Sequence, residues 1–387
     1  MTPTLTIVGS GMAGIGLLRQ WRALEPERLV TLISADSGDD YAKPLLSTGF
    51  SKGLLPDRLA AGSALDVADR LGAVVRTHTR VDAIDLDSHT LRLGEERLPF
   101  GDLVLATGAA PALPFDIPSR LASRVFTIND LDDYRRFHAA LAALGRPARV
   151  AIIGAGLVGC EFANDLTAGG HSVSLIAPES APLPRLLPER LGRALGEAFQ
   201  AAGTQLHLGR GLAAFEEVGG HVGVSLSDAS RLEVDLVLAA TGLTPRSALA
   251  EAAGLAVSEA GIHTDRFLAT SAAGIHALGD VACVAGVNAM YVQPLQAGAR
   301  ALAKTLAGTP TAVTFGAWPV VVKTPLLPVV AYAPTTLPAR WRIEGESPDL
   351  AAFAEDVNGR LIGFALTGRC VRRKVELARL APPLLGY

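Results

Sequence analysis

Two short runs have the residue types and spacing to hold a phosphate: Gly9-Ser10-Gly11-Met12-Ala13-Gly14 and Gly154-Ala155-Gly156-Leu157-Val158-Gly159. In each, the first glycine permits a tight turn. The second lets main chain approach a pyrophosphate, and the third lets a helix pack closely on a strand. The helix that opens there offers unpaired amide donors and the positive end of its dipole to an anion. Such a run means little alone. Here each follows a β-branched strand pattern and precedes a helical one, which is the context the chemistry needs. An acid roughly 20 residues further on should accept ribose hydroxyls. Asp36 stands in that position after the first run and Glu179 after the second, each just beyond an isoleucine that closes the next strand, Ile33 or Ile176.

Glu179 would accept the hydroxyls of NADH and repel the 2′-phosphate of NADPH, with Pro178 and Arg185 close by. The alternative for Glu179 is a solvated loop acid. Lys43 in YAKPLL and Lys323 in VVKTP lie among apolar and proline residues, where a solvated lysine is less expected. Asp280, in Leu278-Gly279-Asp280, is read as functional over the alternative of a turn former. His78, His171 and His207 form neither a triad nor a ligand spacing, so no metal is expected. Cys160, Cys283 and Cys370 are far apart and give no Cys-x-x-Cys pair.

Positioning these groups takes more than one unit. Leu5–Leu24 and Arg149–Leu166 share a strand–turn–helix pattern, and LVTLIS and SVSLIA supply a second strand to each. DLVLATGAAP and DLVLAATGLTP repeat a further pattern, a buried strand running into Thr-Gly and then proline. The chain therefore holds two copies of a nucleotide-binding unit. A short strand ending at Gly279-Asp280 and a helix over about 294–306 have no role in the second copy and are assigned back to the first, which nests one unit inside the other. From about Phe315 the pattern changes to short strands and a closing helix near Val371–Leu380, an α+β domain. The expected fold is α/β, with two nested Rossmann-like dinucleotide-binding domains plus the C-terminal α+β domain. The boundaries are 1–113 with 244–314, then 114–243, then 315–387.

Composition narrows the class. Of 387 residues, 49% are apolar and 19% charged, so large cores are available and disorder is not expected. A net charge of −3 gives no global field for nucleic acid. No apolar run reaches the ~18 residues of a membrane span, and the N-terminus enters a strand directly, so no membrane insertion and a cytoplasmic location are expected.

The doubled glycine turns, the paired Ala-Thr-Gly strands and Leu278-Gly279-Asp280 resemble the flavoproteins with two dinucleotide-binding domains, which have a glutathione-reductase-like fold. Within them, YAKPLLSTGFS, GLVGCEFANDL, YVQPLQAGARALAKTLAG and VVKTP are similar to the rubredoxin–NAD(+) reductase family nearly end to end. The resemblance implies FAD in the first unit, NAD(H) in the second, and electron transfer to rubredoxin, often for alkane hydroxylation. It implies FAD contacts at Gly9, Ser10, Gly11, Met12, Ala13 and Gly14. Ser34, Ala35, Asp36 and Val81 would border the adenosine, and Asp280, Val292, Lys43 and Lys323 would lie nearer the flavin. NAD(H) would meet Gly154, Gly156, Gly159, Glu161 and Glu179.

The same resemblance implies that Lys43 and Glu161 are catalytic and form an ion pair beside the flavin and nicotinamide. The alternative for Glu161 is an acid favoured by the helix dipole. Sulfur-using relatives carry a cysteine in a Leu-Ser-Cys-Gly context, where this chain has Leu46-Ser47-Thr48-Gly49. Thr48 cannot form a thiolate or a sulfenic acid, so electrons are expected to leave the flavin directly. An acidic iron protein would be steered by some of Arg340, Arg342, Arg369, Arg372, Arg373 and Lys374, whose alternative is a solvated face. A ferredoxin or flavorubredoxin reductase is the near rival; an NADH oxidase or peroxidase and a flavin-bound sensor are more distant ones.

Overall fold

A computed structural model describes residues 5–386. Strand Leu5–Val8 is buried throughout and lies at the centre of a five-stranded parallel sheet. Its neighbours are Val30–Ile33 on one side and Asp102–Leu105 on the other. Val74–Arg76 and Ile275–Ala277 form the edges, so the sheet takes its last strand from far along the chain. Continuous apolar runs suit these strands because helices cover a parallel sheet on both faces. Helices Met12–Arg22 and Val292–Leu306 pack against one another on this sheet.

A second five-stranded parallel sheet is inserted between those segments. Its order is Val125–Phe126, Leu236–Ala239, Arg149–Ile153, Ser172–Ala177 and Gln205–Leu208. The chain passes between the two sheets along an antiparallel pair, Ala109–Pro111 with Leu243–Pro245. Each sheet also carries a three-stranded antiparallel appendage, Ala83–Pro99 on the first and Leu212–Val234 on the second, which the sequence patterns did not anticipate.

Beyond Phe315 a five-stranded antiparallel sheet runs in the order Val320–Val322, Val329–Tyr332, Leu361–Thr367, Asp349–Glu355 and Arg340–Glu346. A short 3₁₀ turn, Gly368–Arg373, leads into helix Lys374–Leu380. One hydrophobic core is continuous from the second parallel sheet into this region. It joins Val150, Cys160 and Phe162 to Val322, Leu327 and Val329, and it includes Leu46 from the first unit. That shared core presses the segment around Lys43 and the start of the C-terminal sheet against the helix that follows the second glycine turn.

Candidate functional site

Both glycine turns have the same construction. Gly9 has φ +115°, and a Cβ there would meet the Ala106 carbonyl oxygen at 2.2 Å. Gly154 has φ +110°, with the Ala240 carbonyl oxygen at 2.4 Å. A Cβ on Gly14 would sit 1.8 Å from the Gly9 oxygen, and one on Gly159 would sit 1.9 Å from the Gly154 oxygen. These four glycines are required by the backbone. Gly11 and Gly156 differ. Their φ values of −65° and −76° suit any residue, and a Cβ on either would meet nothing within 4 Å. The open space lies at the N-terminus of an uncapped helix, Met12–Arg22 or Leu157–Ala168, with no acid in its first turn to repel an anion. A cradle that a side chain would fill fits the pyrophosphate of a bound dinucleotide.

The first cradle has its acid already in place. Asp36 Oδ1 accepts from Ser10 Oγ at 3.2 Å, from the Gly38 amide at 2.9 Å, and from the Ser34 hydroxyl. Ser10 and Ser34 are themselves in contact, 2.6 Å between hydroxyls. Ala35 beside them is exposed, and Val81 is buried beyond the third strand. Gly279, at φ +81°, packs so closely on the glycine helix that a Cβ would lie 2.8 Å from that of Ala13. Asp280 is thereby brought to the same helix start. Helix Val292–Leu306 begins nearby, uncapped and without an acid in its first turn. It starts two residues before the Pro294 expected from the sequence. Glu179, in contrast, is exposed, and among the described residues only its carbonyl is engaged, by the Gly209 amide at 2.8 Å.

The helix Leu157–Ala168 carries three buried polar groups on one face, Glu161, Asn164 and Asp165. All three bind other parts of the chain. Asp165 accepts from the Phe50 amide at 3.0 Å and the Ser51 amide at 2.9 Å. Asn164 Oδ1 accepts from the Leu326 amide at 3.3 Å. Glu161 is only 3% exposed. It accepts from Ser47 Oγ at 2.7 Å, from the Lys323 amide at 3.1 Å, and from the Lys323 ammonium.

The expected Lys43–Glu161 pair is therefore not present. Glu161 pairs with Lys323, and Lys43 donates instead to Asn129 Oδ1 at 2.7 Å. The physical reason is reach. The Lys323 backbone is already docked on the Glu161 carboxylate through its own amide, so its side chain closes on the same group without ordering a second segment. Burial pushes the Lys43 ammonium below its ordinary value, and Asp280 opposes that push while Arg246 adds to it. Asp280 shows the reciprocal effect: burial raises its pKa and Lys43 lowers it.

No cysteine hydrogen-bonds to Lys43, Glu161 or Lys323 among the described residues; the buried Cys160 beside Glu161 donates instead to the Ala155 carbonyl. Thr48 donates its hydroxyl to the Leu45 carbonyl at 3.0 Å. The three cysteines are unpaired, and burial pushes every one of their thiols above its ordinary value. The basic residues near the C-terminus are mostly satisfied within the chain. Arg340 and Arg342 bind Glu355, Arg369 binds Asp349, and Arg373 reaches Glu344 and Glu376. These four are less suited to steering than the sequence suggested. Arg372 and Lys374 make no ion pair among the described residues.

Sequence reasoning missed Asn129, Asn164 and Asp165. For the last two a signal existed: polar residues at 161, 164 and 165 share one face of an otherwise apolar helix.

Residues 3–310 match the family described as pyridine nucleotide-disulphide oxidoreductase, and residues 312–381 match a rubredoxin binding C-terminal domain. A rubredoxin-NAD(+) reductase of Alcanivorax borkumensis is 42% identical over 98% of this chain and 99% of its own. A nitric oxide reductase FlRd-NAD(+) reductase of Aeromonas salmonicida is 37% identical over 98% of this chain and 96% of its own. The solved ferredoxin reductase for the CYP199A2 system from Rhodopseudomonas palustris has a TM-score of 0.87 at 26% identity, covering 98% of this chain and 96% of its own.

Proposed function

The chain belongs to the pyridine nucleotide-disulphide oxidoreductase family, and on that premise we propose that it is an NADH-dependent FAD flavoprotein that passes electrons singly to rubredoxin. The observation that carries this reading is Glu161. It is a buried carboxylate on the helix of the second cradle, held by Ser47 of the first unit and by Lys323 of the rubredoxin-binding region. One group thus ties the nicotinamide side, the flavin side and the acceptor side together.

Bound FAD supplies a ring that takes two electrons from NADH together and releases them one at a time. The protein supplies position and electrostatics. Residues 1–113 with 244–314 form the flavin unit in this reading, 114–243 the NAD(H) unit, and 315–387 the acceptor-facing domain. Gly9, Gly11 and Gly14 shape the first cradle, where the amides around Ser10, Met12 and Ala13 hold the pyrophosphate. Ser34, Ala35, Asp36 and Val81 border the adenosine. Asp280 binds the ribityl chain or its phosphate, and the open start of helix Val292–Leu306 favours negative charge on the reduced ring. Lys43 and Lys323 bring positive charge to the same ring.

Gly154, Gly156 and Gly159 hold the NADH pyrophosphate, and Glu179 accepts its ribose hydroxyls. Glu161 fixes the approach of the nicotinamide, a positioning role rather than proton transfer. With Thr48 at the thiol position, no sulfur relay intervenes, which disfavours oxidase and peroxidase chemistry. Three unpaired cysteines suit a reducing cytoplasm, and alkane hydroxylation is one use for such electrons. The 37% identity to a flavorubredoxin reductase favours that acceptor as the second reading.

The test is anaerobic stopped-flow reduction by NADH, followed by mixing with rubredoxin, ferredoxin and flavorubredoxin in parallel. Rubredoxin is expected to reoxidise the flavin fastest. A protein that purifies colourless and takes up no FAD, or that reduces none of the three, would overturn the reading.

A further inference from the structure

Asn129 is 5% exposed and lies between strand Val125–Phe126 and helix Leu131–Ala143. Its side chain is fixed at both ends. Nδ2 donates to the Ala109 carbonyl at 3.0 Å, and Oδ1 accepts from Lys43 Nζ at 2.7 Å. Its own amide donates to Asp133 Oδ2 at 2.9 Å. The Ala109 carbonyl can only accept, so it sets the amide orientation and leaves the oxygen for Lys43. An aspartate would lack the donor for Ala109 and would place a carboxylate on the ammonium. The site therefore holds Lys43 with a strong acceptor that carries no charge.

We propose that Asn129 is a positioning residue for Lys43, and that its neutral amide keeps the lysine's positive charge available to the bound flavin, setting the ease with which that flavin is reduced. This rests on the flavoprotein reading above. A charge whose direct hydrogen-bond partner is neutral acts more strongly on its surroundings in a partly desolvated site than one paired with a carboxylate. The charged groups that face Lys43 from the surrounding elements are Asp280, Arg246, Asp130 and Asp133. The three acids raise its pKa and Arg246 lowers it, while burial lowers it more than any of them changes it. Asn129 adds to neither side of that balance, and a carboxylate in its place would add to the side of the acids.

The test compares the flavin midpoint potential of the FAD-loaded wild type, Asn129→Asp and Asn129→Ala, each also made with Lys43→Met. Asn129→Asp should shift the potential negative, with about a tenfold fall in the reduced-to-oxidised ratio at fixed potential, or ~30 mV for a two-electron couple. The alkaline limb of its pH dependence should also move upward. Asn129→Ala should slow reduction by NADH about tenfold with FAD retained, since Lys43 loses its fixed position. Neither substitution should have any further effect beside Lys43→Met. If Asn129→Asp does not fold, the rate and coupling of Asn129→Ala carry the test. Unchanged values with FAD bound, or equal shifts with and without Lys43, would overturn the inference. A wild type that binds no FAD would instead overturn the functional reading.

Discussion

At the first glycine turn Asp36, the acid expected at the ribose, is held by Ser10, Ser34 and the Gly38 amide; at the second, Glu179 is exposed and its carboxylate has no hydrogen-bond partner among the described residues. The cradles themselves superimpose in logic almost residue for residue. The difference lies around them. A preordered acid spends little entropy on binding and suits a group that stays. An exposed acid without a partner must be ordered on each binding, which weakens binding and suits a ligand that leaves after every turnover. The helices diverge in the same sense. Met12–Arg22 turns an apolar face to its own unit, whereas Leu157–Ala168 spends three polar side chains on its neighbours. In the proposed reading, the copy that would hold the resident cofactor is inwardly complete, and the copy that would admit the exchanging one is built into the surrounding units.

The largest expected effects separate the two cradles. Gly11→Val should abolish FAD retention, with about a 1,000-fold loss of affinity or ~4 kcal/mol, because the branched side chain fills the phosphate slot. Gly156→Val should keep the yellow colour and raise the NADH requirement by a similar factor. Neither apoprotein should lose much thermal stability, since the added Cβ has no protein atom within 4 Å. Gly14→Ala should behave differently and fail to fold, because its Cβ would lie 1.8 Å from an oxygen. Calorimetry of the apoproteins and titration with each cofactor check all three.

Next in size is Glu161→Ala, expected to slow flavin reduction by NADH about 100-fold while FAD content stays near wild type. Equal losses in FAD retention and reduction rate would erase the distinction between the two helices. Stopped-flow traces and the flavin-to-protein ratio give both numbers.

The repeated DLVLA motif offers a third contrast. Asp235 is buried and accepts from Arg146 at 2.8 Å and the Arg149 amide at 2.8 Å, whereas Asp102 reaches Arg28 at 3.8 Å. Burial alone would raise the pKa of Asp235, but hydrogen bonds from Arg146 and then from the Arg149 amide hold it well below the usual carboxylate range. Asp235→Asn should cost about 2 kcal/mol, discounted for the half-exposed arginines, and Asp102→Asn under ~0.5 kcal/mol. Because the folded pKa is depressed, the Asp235 contribution is complete above its unfolded value near ~4 and fades as pH falls below it. Urea melts at pH 7 and pH 3 should bring Asp235→Asn and wild type only partly together, because the contribution is fully lost only as pH falls through the depressed folded value.

The smallest effect is at Glu179. Glu179→Gln should change the NADH-to-NADPH ratio of kcat/KM only about fivefold, because an exposed carboxylate repels a phosphate through solvent. Steady-state assays with both nucleotides measure it.

What the sequence made legible was local. Glycine turns, closing strands and the acids beyond them follow from backbone geometry within about 30 residues, and the nesting was read from the recurrence of these local patterns along the chain. The Lys323–Glu161 pair spans 162 positions, and no local pattern distinguishes it from Lys43–Glu161. That choice was made by packing, when strand Val320–Val322 set the Lys323 amide on the carboxylate. Asn129 left no trace for the same reason: Thr-Ile-Asn-Asp reads as an ordinary helix entry until Lys43 and Ala109 arrive from other segments. The antiparallel appendages were hidden in short alternating runs whose partners lie within the same runs.

The lysine that closes on Glu161 also has a consequence for engineering. The acceptor-recognition region is not a detachable module, because its first strand delivers the counterion of a carboxylate that belongs to another part of the molecule. A graft meant to redirect electrons to a different iron protein would have to carry Val320–Lys323 with it, or leave a buried anion stranded on the helix of the second glycine turn.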